Sequence, residues 1–185
     1  MKKLDFYPTT NIDELAWPEE NYDLTIDSPA LAFFTDFQNI KPLVIESTAS
    51  VLRVKELMQK EHVRLKLVVD EKKHFIGVVS SDDLIERKIV QKVSEGLERN
   101  EIVVAELMTA KKHLKALDWK DISKASISDV INALKDNGER HCLVIDHENH
   151  KIRGIFSASD ISRRLRLNID IQEKTSFSKV FVATL

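Results

Sequence analysis

The sequence predicts a mixed α/β (α+β) fold made of two pseudo-symmetric units, each a small sheet with flanking helices. Three observations lead to this prediction. One short segment occurs twice, as GVVSSDDL at residues 77–84 and as GIFSASDI at residues 154–161. The same order of apolar segments surrounds both copies, which indicates an internal duplication. The composition, 43% hydrophobic and 31% charged, is that of a globular protein.

Each copy of the repeated segment predicts a strand that runs into a helix. Apolar residues follow the glycine directly, and further apolar residues at helical spacing follow the aspartate. Ser80 and Asp83 lie at the junction in the first copy, and Ser157 and Asp160 in the second. A helix start attracts phosphate, and an aspartate there accepts hydrogen bonds from ribose hydroxyls. For one copy, simple helix capping is the favoured interpretation, but two copies in matching surroundings favour a binding site.

The bulk composition excludes several classes of protein. A net charge of −2 over 185 residues predicts no general attraction to nucleic acid. Cys142 is the only cysteine, so no intrachain disulfide forms, and it lies in an apolar run where we expect a buried small side chain. No signal peptide follows the basic first residues, and no segment approaches the ~20 apolar residues of a membrane span. We therefore expect a cytoplasmic protein.

The repeat divides the chain into four segments. We expect an extended N-terminal arm at 1–28, a first motif at 29–100, a second motif at 101–167 and a strand-like C-terminal tail at 168–185. The arm has few periodic apolar positions, whereas the tail ends in the apolar run KVFVATL. We expect the tail to pair with an edge of the fold or with a second subunit.

Local signals predict the elements of the first motif. Ser28 and Pro29 form a typical helix start, and Val51, Val54 and Met58 share one face of a longer helix. Two apolar runs separated by a polar turn predict a hairpin. In order, we expect a helix at 30–37, a strand at 43–45, a helix from 51, strands at 65–69 and 75–79, and a helix opened by Ser80 that runs to Gly96.

The second motif repeats this order. Ser126 precedes a helix whose apolar residues recur at helical spacing, and Asn137-Gly138 ends it. The expected elements are a short helix at 104–109, a strand at 114–119, a helix from 127, strands at 142–146 and 152–156, and a last helix opened by Ser157.

The combination of the segments VAELMT, LVVD and LVID with the two Gly-apolar-apolar-Ser-x-x-Asp endings resembles the CBS-domain family, paired as a Bateman module. The resemblance covers about residues 30–166. It implies two motifs packed through their sheets, a disc-like homodimer, and clefts that bind adenosine-type ligands. AMP, ADP and ATP are the implied ligands, and NAD or S-adenosylmethionine are less expected.

The resemblance also implies residue roles. Asp83 and Asp160 would hold ribose, and Ser80 and Ser157 would contact ribose or phosphate. The implied adenine contacts are Leu65, Lys66 and Leu67 in the first site, and His141, Cys142 and Leu143 in the second, with Thr109 and Ala110 beside the second.

The sequence departs from the family pattern in ways that affect the ligand. Leu67 and Leu143 stand where the family often has proline, Phe34-Thr35 replaces a Met-Thr pair, and LDWKDISKA at 117–125 is an insertion. Charge also differs between the sites. Asp82 beside Asp83 disfavours phosphate, whereas Arg163 and Arg164, one turn after Asp160, favour it. We expect the Asp160 cleft to be the better anion site, unless both arginines face water or a second subunit.

Catalytic and metal chemistry are not predicted. His141, Asp146, His147 and His150 are near one another in sequence, but they flank a turn and lack a recognisable metal-ligand spacing. No nucleophile–base pair or glycine-rich phosphate loop stands out among only four glycines. We expect a non-catalytic sensor that binds an adenine nucleotide and signals to a separate, unidentified protein. The alternative is a dimerisation scaffold whose clefts are degenerate or filled by its own arm.

Overall fold

A computed structural model describes residues 24–171 of the chain. Most of the expected N-terminal arm and C-terminal tail lies outside these residues, so the predictions for those two segments stay predictions. The described part contains two four-stranded sheets with helices on their outer faces. The mixed fold with two small sheets is therefore confirmed.

The strands and helices follow the predicted order closely. The helices are α1 (Val51–Lys60), α2 (Glu86–Ser94), α3 (Val104–Leu107), α4 (Trp119–Ile122), α5 (Ile127–Asn137) and α6 (Ala158–Leu165). Two short 3₁₀ turns cover Ala30–Phe33 and Lys111–His113. The strands are β1 (Thr35–Asp36), β2 (Val44–Glu46), β3 (Leu65–Val69), β4 (Phe75–Ser80), β5 (Thr109–Ala110), β6 (Ala116–Asp118), β7 (His141–Asp146) and β8 (Lys151–Ser157).

The two sheets have equivalent topologies. The first has the order β2-β3-β4-β5 and the second the order β6-β7-β8-β1. In each, the first pair of strands is parallel and the next two pairs are antiparallel. The fourth strand of each sheet comes from the segment that leads into the other motif. β1 thus pairs with β8 of the second motif, and β5 pairs with β4 of the first.

Local capping explains why α5 begins and ends where the sequence predicts. The Ser126 hydroxyl accepts a hydrogen bond from the Asp129 N–H, and the Asp129 carboxylate accepts one from the Ser126 N–H. This reciprocal pair satisfies two backbone donors that a helix start leaves unpaired. Gly138, with φ of 66°, ends the helix in the left-handed conformation that glycine adopts without strain.

Three predictions for the lead-in and junction segments are corrected. The helix expected to reach residue 37 is the 3₁₀ turn Ala30–Phe33, because the chain then extends to pair β1 with β8. The helix expected at 104–109 likewise ends at Leu107 and gives way to β5. Asp83 accepts hydrogen bonds from the Ser80 N–H and hydroxyl, which closes a turn, so α2 begins only at Glu86. In the second copy of the repeat, α6 begins directly after Ser157, at Ala158, as predicted.

The apolar residues form three layers, because side chains on a strand alternate between its two faces. Val68 and Val79 turn outward to the helices of the first motif, and Val144 and Phe156 turn outward to those of the second. Leu67, Val78 and Leu143 turn inward and form a cluster between the two sheets. The two motifs therefore pack through their sheets, as the family resemblance implies.

The two repeated glycines let β1 and β5, the crossing segments that each complete the sheet of the other motif, lie close to those sheets. A Cβ atom on Gly77 would come within 2.4 Å of the Thr109 carbonyl oxygen, and one on Gly154 within 2.3 Å of the Thr35 carbonyl oxygen. On Gly154 it would also meet the ring of Phe34 at 2.2 Å. Any side chain here would push β1 or β5 away from its partner strand. Both repeats therefore begin with glycine, because the backbone of the neighbouring strand occupies the place of a Cβ atom.

An ion pair fixes the same crossing segment of the first motif to the second sheet. The Arg153 Nε and Nη2 atoms each donate to an Asp36 carboxylate oxygen at 2.9 Å. Both side chains are mostly buried, with 16% and 17% exposure, and the Arg153 guanidinium stacks 4.1 Å from the Trp119 ring centroid. The Arg153 hydrogen bond is the main reason that the pKa of Asp36 lies below its ordinary value.

We expect Gly154→Ala to lower the free energy of unfolding by about 1–3 kcal/mol, the usual range for overpacking a tight contact. The added methyl would meet Phe34 and the Thr35 carbonyl oxygen. Urea unfolding followed by circular dichroism measures the change. Lys151→Ala, an exposed change on the same strand, is the matched control and should alter stability by less than about 0.5 kcal/mol. Equal effects of the two changes would contradict the packing argument.

We expect Asp36→Asn to cost about 1–3 kcal/mol at pH 7, because Arg153 loses a charged hydrogen-bond acceptor. The folded pKa of Asp36 lies below the unfolded value of 3.8. Its contribution is therefore complete well above 3.8 and is lost as the pH falls through the folded pKa. The difference between wild type and variant in urea unfolding should narrow as the pH falls below about 4.

The exposed change Asp27→Asn removes a carboxylate without a comparable partner and serves as the control for this experiment. A difference for Asp36→Asn that stays constant from pH 7 to about pH 2.5 would refute a role for the charged carboxylate.

Candidate functional site

A cavity of about 540 Å³ opens between the two sheets and is the main candidate site in the described part of the chain. This volume lies in the usual range of small-molecule sites. Both motifs contribute to its wall: the strand end of β4 on one side, and the start of β7 with the segment around β6 on the other. The predicted site residues on its wall are Leu65, Ser80, Asp83, Thr109, His141, Cys142 and Leu143.

The first side of the cavity is polar and pre-arranged. One Asp83 carboxylate oxygen, Oδ2, accepts hydrogen bonds from the Ser80 N–H at 2.9 Å and the Ser80 hydroxyl at 2.7 Å. The other oxygen, Oδ1, accepts from Lys88 Nζ at 2.7 Å. The Asp83 side chain is 13% exposed. The carboxylate is thus oriented and partly neutralised while it still borders the cavity.

The opposite side carries two ionisable groups that are neutral near pH 7. Burial lowers the pKa of His141 to about 4, with the charges of Arg64 and Arg140 adding to this effect and Asp82 opposing it. Burial raises the pKa of the Cys142 thiol to about 11. An uncharged imidazole and thiol are compatible with contact to an uncharged heterocycle.

The middle of the cavity is apolar. Leu65 and Val78 from the first sheet face Leu114, Leu117 and Ile155 from the second half of the molecule. An apolar slot of this kind suits a flat aromatic ring, and the few polar groups at its ends fix the ring's orientation.

An ion pair stands at the cavity rim. Arg140 Nη1 lies 3.6 Å from Asp82 Oδ2, and the two side chains are 44% and 56% exposed. Asp82 belongs to the turn after β4, whereas Arg140 directly precedes β7, so the pair bridges the two motifs across the cavity.

The cavity combines residues that were expected in two different sites. Thr109 lines it together with His141, Cys142 and Leu143, beside which it was predicted, but the aspartate on the same wall is Asp83 and not Asp160. The reason is that the two sheets face each other, so the start of β7 supplies the wall opposite Asp83, and β5, which pairs with β4, brings Thr109 to the same space.

Several predicted residues lie elsewhere. Lys66 is 4% exposed, points to the helix side of β3, and bonds Glu61. Leu67 is in the inter-sheet cluster, and Ala110, beside Gly77 on β4, is not on the cavity wall. Ser157 and Asp160, at the start of α6, are also outside the cavity wall.

The arginines expected to favour anions near Asp160 are engaged locally. Arg163 pairs with Asp160 itself and is 77% exposed. The Arg164 guanidinium lies 4.7 Å from the Phe33 ring centroid. Both arginines therefore have partners close by, and the preference for anions at the Asp160 side stays a prediction.

Sequence reasoning missed residues that reach the cavity from the second motif. Lys115, Asn137, Glu139 and Arg140 lie on its wall. They come from loops and element ends, where no periodicity marks a functional position. Arg140 alone carried a signal, since it directly precedes the strand that the resemblance assigns to the adenine.

Residues 24–171 contain neither a metal cluster nor a membrane-spanning helix. Within them, no group of three or more His, Cys, Asp or Glu side chains is placed to hold a metal ion. His147, one of the histidines considered from the sequence, instead lies 3.5 Å from an Asp118 oxygen. No helix in this range has both the length and the apolar character needed to cross a bilayer.

Comparison with known proteins gives one family. The CBS domain family model matches residues 35–89 and 123–167, which is more than half of the chain. The two matched segments cover the two halves of the duplicated structure. No curated protein matches the chain in sequence.

Solved structures show the same fold at low sequence identity. An uncharacterized conserved protein from Pyrococcus horikoshii covers 80% of this chain and 100% of its own, with a TM-score of 0.58 and 23% identity. CBSX2 in complex with AMP covers 74% of this chain and 94% of its own, with a TM-score of 0.53 and 24% identity. The CBS-pair protein CBSX2 from Arabidopsis thaliana covers 75% and 94%, with a TM-score of 0.51 and 23% identity. The CBS domain pair of MJ0100, in complex with 5′-methylthioadenosine and S-adenosyl-L-methionine, covers 74% and 98%, with a TM-score of 0.52 and 16% identity.

Cys142 offers a chemical test of the cavity wall. With a thiol pKa of about 11, little thiolate is present at pH 7.5, so we expect alkylation by iodoacetamide to be at least about a hundredfold slower than for free cysteine. Unfolding the protein in urea should restore the ordinary rate. Mass spectrometry of the alkylated fraction over time gives the measurement. A folded-state rate equal to that of free cysteine would show that the thiol is neither buried nor suppressed.

Proposed function

The chain belongs to the CBS domain family, and from this premise we propose that it is a non-catalytic regulatory module that binds an adenosine-containing ligand in the cavity beside Asp83. The observation that carries this proposal is the arrangement of the cavity itself. An oriented carboxylate stands at one end of an apolar slot whose two walls come from the two motifs. This combination suits a ribose joined to a flat base.

Asp83 has room for the ribose despite its internal partners. Its Oδ2 accepts two hydrogen bonds from Ser80, and its Oδ1 accepts one from Lys88. An ionised carboxylate has about four acceptor positions, so a ribose hydroxyl can be added at Oδ1. The base then lies between the apolar side chains of the two sheets, with Thr109 and His141 at its edges.

The shared wall supplies a route from ligand to partner. A ligand that touches both motifs stabilises the relative orientation that fits it best, and it shifts the population only through this difference in affinity. A separate protein would detect the shift. A second copy of this chain is a further proposed partner, because the family resemblance implies a homodimer.

The complexes of similar structures agree with this proposal. CBSX2 is described with AMP, and the MJ0100 pair with 5′-methylthioadenosine and S-adenosyl-L-methionine. Both share the fold of this chain at less than 25% identity. The assignment of an adenosine ligand to this chain therefore depends on its own cavity.

A scaffold without a ligand is the second candidate. The observation in its favour is that both Asp83 oxygens already accept hydrogen bonds within the protein, as a degenerate cleft would have them. In that case the apolar slot would serve only as the packing interface between motifs.

A thermal-shift screen with adenosine, AMP, ADP, ATP, NAD and S-adenosylmethionine separates the two candidates. A ligand at 100 times its dissociation constant should add about 2.7 kcal/mol to the free energy of unfolding. For the ligand that binds best, we expect Asp83→Ala to reduce affinity at least about tenfold, because a charged hydrogen-bond acceptor is lost. Asp160→Ala, the equivalent change in the other motif, should alter affinity by less than about twofold.

Circular dichroism and the unfolding midpoint check that both variants are folded. The absence of any stabilisation by these ligands would favour the scaffold. A larger loss in Asp160→Ala than in Asp83→Ala would place the ligand on the other side of the molecule.

A further inference from the structure

Asp82 occupies a position that the proposed function does not explain. It lies between Ser80 and Asp83 in the turn after β4, and its side chain is 56% exposed on the cavity wall. Unlike Asp83, it holds no backbone N–H in the turn among the hydrogen bonds of the described residues. Its contact is with Arg140 across the rim, so its charge faces the space that a ligand would enter.

Arg140 is the guanidinium on this wall that is best placed to meet an anion. It lies 3.6 Å from Asp82, at a position where a ligand's phosphate would compete with that carboxylate. A guanidinium binds phosphate strongly through paired hydrogen bonds, but a fixed carboxylate beside it reduces the gain. Each further phosphate adds repulsion from Asp82.

The wall of the cavity carries negative as well as positive charge. Three carboxylates lie on it, those of Asp82, Asp83 and Glu139, and the fixed cations on it are Lys115 and Arg140. Two further cations lie close by: Lys88 is bound to Asp83, and Arg64 helps to lower the pKa of His141. A triphosphate would therefore meet repulsion from carboxylates as well as attraction to these cations.

We propose that Asp82 determines the charge class of the ligand, so that the cavity prefers an adenosine compound with one phosphate or none over di- and triphosphates. This inference rests on the proposed function, since it concerns the ligand of the same cavity. Asp82 acts by repelling phosphate and by occupying Arg140. A neutral nucleoside, a monophosphate or a sulfonium-bearing adenosine compound meets little of this penalty.

The test is isothermal titration of adenosine, AMP, ADP and ATP, without magnesium, into the wild-type protein and Asp82→Asn. In the wild type we expect affinity to fall from AMP to ADP to ATP. In Asp82→Asn we expect ATP to bind about tenfold or more tightly than to the wild type, because one repulsive charge is removed close to the phosphates. The affinity of adenosine should change by less than about twofold.

Two controls separate a local effect from a change in overall charge. Glu71→Gln removes one carboxylate in the exposed turn between β3 and β4, outside the cavity, and should change ATP affinity by less than about twofold. The gain in Asp82→Asn should also shrink between about 20 mM and about 300 mM salt, because ions screen a partly exposed charge. Arg140→Gln removes a positive charge from the wall, so it should lower the affinity for AMP, whereas Asp82→Asn should raise the affinity for ATP.

The outcomes distinguish this inference from the proposed function. A gain for ATP without a gain for adenosine supports the inference. Equal gains for both ligands, no gain, or a wild type that binds ATP more tightly than AMP would overturn it while leaving the adenosine site intact. If the wild type binds none of the four compounds, the proposed function fails first, and the charge preference fails with it.

Discussion

The close passage of two crossing segments over two glycines is the contact on which the rest of the structure depends. β1 and β5 each complete a sheet of the other motif, and the carbonyl oxygens of Thr35 and Thr109 pass where a Cβ would stand. This exchange makes each sheet depend on chain from both motifs. It also keeps the inner faces of the sheets opposed, and the cavity exists only because they are opposed. A side chain at either glycine would therefore disturb sheet, interface and cavity together.

Charged groups reinforce this arrangement where apolar packing ends. Arg153 holds Asp36 with two hydrogen bonds and stacks on Trp119, so the crossing segment is fixed by a pair that is mostly buried. Loss of one partner from such a mostly buried pair destabilises the protein, because the charge of the other partner is then left without compensation. The rim pair of Asp82 and Arg140 is about half exposed and correspondingly weaker. The first pair thus holds the crossing segment in the fold, whereas the second stands at the rim of the cavity.

Local sequence patterns account for most of the fold. Residues in and directly beside α5 predict its apolar face and both of its ends, and the apolar runs of β3 and β7 predict those strands in the same local way. β1 and β5 escaped prediction because they are two residues long and depend on partners in the other motif. For the same reason the sequence did not show that Thr109, on β5, borders the same cavity as Asp83. The orientation of Lys66 was within reach, since alternation along a strand places it opposite Leu65 and Leu67.

Duplication of a sequence does not give equal sites, and the two endings show why. The first reads SSDD, in which Asp83 closes a hydrogen-bonded turn on Ser80 and postpones α2 to Glu86. Short polar side chains compete with helical backbone bonds in this way. The second reads SASD, in which Ala158 favours an immediate helix and Asp160 pairs with Arg163 on its surface. Asp160, in the first turn of α6, is outside the wall of this cavity, whereas the turn that Asp83 closes keeps it on that wall. The two copies of the repeat therefore differ in local backbone structure as well as in their place relative to the cavity.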